Sequence, residues 1–113
     1  MHSEVRAQLG EFVKPSYAIL PEADELYVQY WRDRNILVIP MTMETFVYNI
    51  QCKLTELPSE EAMLSAYADR CFGGNKGPAR KDARRIQARC ELISFRVALA
   101  VACRVSGIDF REL

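Results

Sequence analysis

The chain has 113 residues, of which half are apolar and 27% are charged, and its formal net charge at pH 7 is zero. These values are typical of a folded globular protein and argue against a disordered, collagenous or membrane-spanning chain. The longest apolar stretch, Val97 to Cys103, is far shorter than the roughly 20 residues that a membrane span needs. We therefore expect one soluble domain over residues 1–113 with no membrane partner.

The N-terminal residues 1–6 lack the basic flank and apolar run of a secretory signal. Neither the spacing of zinc ligands nor that of a dense disulfide framework is found among the cysteines Cys52, Cys71, Cys90 and Cys103. The sequence thus predicts a cytoplasmic protein with reduced, mostly buried cysteines. We expect it to hold neither a metal nor a cofactor.

The N-terminal third contains candidate helix and strand segments. Ser3 is a candidate N-cap for a short helix that extends to about Val13. Residues 17–20 are apolar but too few to assign. Two runs rich in aromatic and β-branched residues, Leu26–Trp31 and Ile36–Met41, are separated by a polar loop of four residues. They predict a β-hairpin.

Residues 43–54 fit two patterns. Alternation of apolar and polar residues fits a strand, whereas the spacing of four from Phe46 to Ile50 to Leu54 fits a helix. Thr42 as an N-cap, followed by an acidic first turn, favours the helix. The strand alternative stays open.

The C-terminal half is predicted to be helical. A cap at Ser59, an acidic first turn and the glycines after it indicate a helix over about 60–72. Pro78 suits the first turn of a second helix, and an apolar stripe of period 3.6 then runs to Arg104. We therefore predict an α+β fold with a β-hairpin or small antiparallel sheet packed against three to four helices, the longest at about 79–104.

Charge is concentrated in one segment of the chain. Residues 70–89 contain seven basic residues and one acidic residue, so this segment carries +6 and the remainder carries −6. On the predicted long helix, the basic side chains fall on one half of the circumference, opposite the apolar stripe. They are Arg80, Lys81, Arg84, Arg85, Arg89 and Arg96. Because like charges three and four residues apart repel, this arrangement indicates a partner.

Three other features carry weaker functional signals. The glycine-rich loop 73–77 precedes a helix N-terminus and is a candidate anion site, although an ordinary loop between helices explains it equally. Tyr27, Tyr30 and Trp31 could stack on single-stranded nucleic acid, but such residues more often belong to a core or a strand surface. The sole histidine, His2, lies at a terminus, and no acid–base pair is evident, so we expect no enzyme.

The sequence predicts a small non-enzymatic interaction protein, an adaptor or inhibitor, that docks on a larger acidic protein or ribonucleoprotein. The residues expected to bind the partner are Lys76, Arg80, Lys81, Arg84, Arg85 and Arg89. One alternative is nucleic-acid binding by the same face, which the neutral overall charge disfavours. The other is a solvated face that pairs weakly with the acidic remainder of the protein. The oligomeric state is left open.

Overall fold

The computed structural model describes residues 17–90 and 92–113. The elements are strand β1 (Tyr17–Ile19), helix α1 (Glu25–Arg32), strand β2 (Leu37–Ile39) and helices α2 (Met43–Cys52), α3 (Glu60–Cys71), α4 (Lys76–Arg89) and α5 (Phe95–Val105), with short 3-10 helices at Leu54–Glu56 and Phe110–Glu112. In this part of the chain a two-stranded sheet accompanies five α-helices, so the predicted α+β class is confirmed. The helix predicted from Ser3 to Val13 lies outside the described residues.

The predicted hairpin is wrong. The whole of the expected first strand lies in α1, where the Asp24 carboxylate caps the helix by accepting a hydrogen bond from the Tyr27 amide at 2.8 Å. Strand β2 does form within the expected second strand, but it pairs in parallel with β1. Parallel strands need a crossover connection, and α1 supplies it.

Helices α2 and α3 confirm the predictions made from their caps. The Thr42 hydroxyl accepts a hydrogen bond from the Thr45 amide at 3.1 Å, and the Ser59 hydroxyl does the same for the Ala62 amide at 3.1 Å. The structure therefore decides between the two patterns of residues 43–54 in favour of a helix up to Cys52. After α3, Gly74 has a φ of +85°, which glycine adopts without steric cost.

The single long helix predicted over 79–104 is also wrong, because two helices occupy that span. The backbone of Cys90 is extended, Leu92 has a φ of +64°, and the Ser94 hydroxyl caps α5 by accepting a hydrogen bond from the Val97 amide at 3.1 Å. The apolar period continues across this turn. Periodicity alone therefore could not show that the chain reverses.

Helix α5 lies at the centre of the core. It packs against α2, α3 and α4, and most of its side chains are buried. The buried residues of α5 are Val97, Ala98, Leu99, Ala100, Val101, Ala102, Cys103 and Val105. No helix in residues 17–90 and 92–113 has both the length and the apolar character needed to cross a membrane.

All four cysteines are free in the structure. Cys71 and Cys103 are buried, Cys90 is half-buried and Cys52 is exposed. The expectation that most of them are buried thus holds for two of the four. Burial raises the pKa of the Cys103 thiol to about 12, so this sulfur is protonated at neutral pH.

A partly buried hydrogen bond ties α3 to α4. Tyr67 of α3 is fully buried, and its hydroxyl donates a hydrogen bond to the carboxylate of Asp82 on α4. Burial and this carboxylate raise the pKa of Tyr67 well above its ordinary value. The contact holds the sole acidic side chain of α4 against α3.

We expect Tyr67→Phe to lower the free energy of unfolding by about 1–2 kcal/mol, because the Asp82 carboxylate loses a donor while the ring packing is kept. Urea denaturation followed by circular dichroism measures this change. Tyr27→Phe removes a hydroxyl from a side chain that is 45% exposed and should change the free energy by less than about 0.5 kcal/mol. Equal losses in the two variants would contradict the role given to the hydrogen bond between Tyr67 and Asp82.

Candidate functional site

Helix α4 begins one turn earlier than Pro78 alone suggests. Its N-cap is Asn75, whose side-chain oxygen accepts a hydrogen bond from the Gly77 amide at 3.1 Å. Pro78 therefore lies inside the first turn, where its missing amide hydrogen costs no helical bond. The helix runs for 14 residues without a break, which corresponds to a length of about 21 Å.

Small apolar residues attach α4 to the core. Ala79 and Ala83 are fully buried, and α4 packs against both α3 and α5. The opposite side of α4 faces solvent. All six side chains predicted to bind a partner are exposed, and we call this surface the basic face: Lys76, Arg80, Lys81, Arg84, Arg85 and Arg89.

The cations of the basic face form two rows along the helix. One row consists of Lys76, Arg80 and Arg84, and the other consists of Lys81, Arg85 and Arg89. Neighbours within a row are four residues apart, which is about 6 Å along the axis. A partner surface could therefore meet several positive charges at once.

The basic face is not neutralised by the described part of its own chain. Among residues 17–90 and 92–113, none of its six side chains forms an ion pair, whereas Arg111 and Asp109 form one at 2.8 Å. The Arg84 guanidinium instead lies over the Phe95 ring, with its carbon 4.5 Å from the ring centre. This contact holds one cation of the face in place.

Arg96 does not belong to the basic face, which corrects the prediction made from a continuous helix. It lies on α5 and is half-buried. Its guanidinium donates hydrogen bonds to the carbonyl oxygens of Pro58, at 3.0 Å, and of Leu57. Arg96 therefore stabilises the segment before α3.

The glycine-rich loop offers fewer free amides to an anion than its sequence suggests. The Gly77 amide is bonded to the Asn75 side chain, and Pro78 has no amide hydrogen. The Gly74 amide donates to the carbonyl of Ala68 at 2.9 Å. The geometry thus favours the alternative, a connecting loop closed by a capped helix.

Leu92 is a surface feature that sequence reasoning missed, because the residue was counted within a helix. It lies three residues after Arg89, is 95% exposed and has a φ of +64°. A left-handed conformation costs a side chain with a Cβ roughly 1–2 kcal/mol. Leu92 is therefore a strained and exposed apolar residue that follows the last cation of the basic face by three positions.

The aromatic residues of the weaker nucleic-acid hypothesis lie on α1 rather than on a strand. Tyr27 and Tyr30 meet Trp31 edge to face, with ring centres 6.2 Å and 5.1 Å apart. The Arg34 guanidinium covers the Tyr30 ring at 3.6 Å from its centre. One face of that ring is therefore already occupied.

The described residues contain no group of three or more His, Cys, Asp or Glu side chains placed to hold a metal ion. Comparisons of this chain with models of known protein families, with curated proteins and with solved structures found no match. Functional inference therefore depends on the geometry and charge of the surfaces described above.

We expect Arg96→Met to lower the free energy of unfolding by about 2 kcal/mol, because two backbone carbonyls lose a charged donor. Arg85→Met makes the same chemical change on the basic face and should cost less than about 0.5 kcal/mol. Urea denaturation of both variants measures the difference. A stable Arg96→Met variant would show that this arginine has no structural role.

Proposed function

We propose that this chain is a small non-enzymatic interaction protein, an adaptor or inhibitor, that docks on a larger acidic protein through the basic face. The observation that carries the proposal is the pair of exposed cationic rows on one continuous helix, with no ion pair to the described part of the chain. A helix gains no stability from such rows, since like charges four residues apart repel. An acidic partner surface would remove that repulsion.

Arginine is the main cation of this face, and its guanidinium suits bidentate pairing with carboxylates. The −6 charge on the rest of the chain keeps the surface strongly polarised. Attraction between a positive helix and an acidic surface raises association rates over distances of about 10 Å at moderate salt. Such a face supports rapid and specific docking.

The second candidate function is direct binding to nucleic acid by the same face, since arginine rows also suit phosphates. Two observations favour a protein partner. The chain is neutral overall, so the acidic remainder would repel a phosphate backbone. Leu92, next to the basic face, offers an apolar contact that a protein surface can bury and a phosphate backbone cannot.

We expect the double change Lys81→Glu and Arg85→Glu to weaken partner binding by about tenfold or more without unfolding the protein. These positions lie in one row of the basic face and avoid Arg84, which packs on Phe95. Affinity capture from nuclease-treated native cells identifies candidate partners. Calorimetry with each purified candidate then measures the loss of affinity.

The matched control is Arg32→Glu with Arg34→Glu on α1, which changes the net charge by the same amount at a different surface. It should leave partner affinity unchanged. If the folded α4 variant binds as tightly as the wild type, the proposal is wrong. If an oligonucleotide binds with a log-log salt slope of about −5, as six phosphate contacts imply, the nucleic-acid function replaces it.

Leu92→Gly should have opposite effects on stability and on binding. Glycine adopts a positive φ without steric strain, so we expect the free energy of unfolding to rise by about 1 kcal/mol. Loss of the apolar contact should weaken partner binding in the same variant. Urea denaturation and calorimetry measure the two effects.

Leu26→Ala, which truncates another leucine that is 83% exposed, is the control and should leave partner binding unchanged. Unaltered affinity of Leu92→Gly would remove Leu92 from the docking surface. A fall in its stability would show that the left-handed backbone is not strained.

A further inference from the structure

A groove on another side of the molecule has the features of a ligand site. A cavity of about 630 Å³ lies between α1, β2 and the C-terminal segment. Its apolar lining includes Leu37, Ile39, Phe46, Ile108 and Phe110. A second cavity of about 490 Å³ adjoins it and shares the lining residues Met41, Phe46, Arg104 and Phe110. Both volumes lie in the range of small-molecule sites.

Positive charge borders this apolar groove. Three arginines and one aspartate line the larger cavity, a formal charge of +2. Arg111 pairs with Asp109 at 2.8 Å and, chiefly through its hydrogen bonds, lowers the pKa of that carboxyl to about 2. This pair is therefore neutral as a unit. Asp109 also attracts Arg104, and the net positive charge of the lining belongs to Arg32 and Arg104.

Arg104 has the central position. It lines both cavities, and the carbon of its guanidinium lies 5.7 Å from the centre of the Phe110 ring. Arg32 of α1 contacts the side-chain oxygen of Gln29 at 3.4 Å. In the described part of the chain, neither arginine forms an ion pair. Both guanidinium groups therefore keep donors for an anionic ligand.

Strand β2 lines the same cavity. The Leu20 amide donates to the Ile39 carbonyl at 2.9 Å, so Ile39 directs its backbone groups towards β1. Backbone groups alternate along a paired strand, so those of Val38 point away from β1. Val38 is 3% exposed and lines the cavity, and outside the sheet it forms no backbone hydrogen bond with the described residues.

We propose that this groove binds an amphipathic carboxylic acid, with the carboxylate at Arg104 and Arg32 and the apolar chain along the lining of the two cavities. The positive charge of the groove favours a carboxylate on the ligand, because a guanidinium pairs with a carboxylate by two parallel hydrogen bonds. The apolar lining favours a hydrocarbon chain on the ligand, because binding removes that hydrocarbon from water. The site is separate from the basic face and independent of its proposed partner.

Calorimetric titration with octanoate tests the proposal, and 1-octanol serves as the uncharged analogue. We expect octanoate to bind at one site and 1-octanol to bind about tenfold more weakly, since it lacks the charge. Decanoate has two more methylenes than octanoate. Each added methylene should tighten binding about fourfold as long as the chain fits the groove. Absence of octanoate binding, or equal affinity for the alcohol, overturns the proposal.

Arg104→Ala should weaken octanoate binding about tenfold and leave 1-octanol binding unchanged. Arg84→Ala is the matched control, because that arginine is also exposed and lies over a phenylalanine ring, but on the basic face. Arg32→Ala provides a second variant if Arg104→Ala fails to fold. Loss of binding in Arg84→Ala alone would place the acid on α4 and refute the groove.

Chemical-shift mapping locates the bound acid independently of the variants. Octanoate should shift the NMR signals of Phe46, Ile108 and Phe110 and leave those of α4 unmoved. Shifts confined to α4 would contradict the proposal. Because this measurement needs no protein partner, its failure is distinguishable from failure of the docking function.

Discussion

The burial of most of α5 is the constraint on which the rest of the structure depends. Eight of its eleven residues are buried. A helix that is apolar over most of its circumference must be covered by neighbours, and α2, α3 and α4 cover it. Each neighbour can meet α5 with only one face, so its polar face points to solvent. The basic face is a direct consequence of this packing.

Helix α4 meets the core through a narrow strip of alanines. Ala79 and Ala83 are fully buried, the half-buried Ile86 packs beside the core, and the basic face lies outside this contact. Repulsion among the exposed cations costs only a few tenths of a kcal/mol per pair. The hydrogen bond from Tyr67 to Asp82 and the packing against α5 hold the helix despite that cost.

The two positively charged surfaces differ in their surroundings. The cations of the basic face project from one helix into water, where charge acts weakly but over a long range. Arg104 is also exposed, but it lies beside apolar side chains where two cavities meet, so one charged group and an apolar surface are adjacent. The first setting suits docking on a broad acidic surface. The second suits a small ligand with one charged group.

The sequence by itself determined α3, favoured α2 over a strand and predicted the exposed cations of α4, because caps such as Thr42 and Ser59 and the helical period are local signals. Tertiary structure alone decided the parallel pairing of β2 with β1, the reversal at Leu92, the inward role of Arg96 and the groove around Arg104. Each of these depends on contacts between segments distant along the chain. An apolar run or period indicates that a residue is buried. The packing around α5 decides which residues it contacts there.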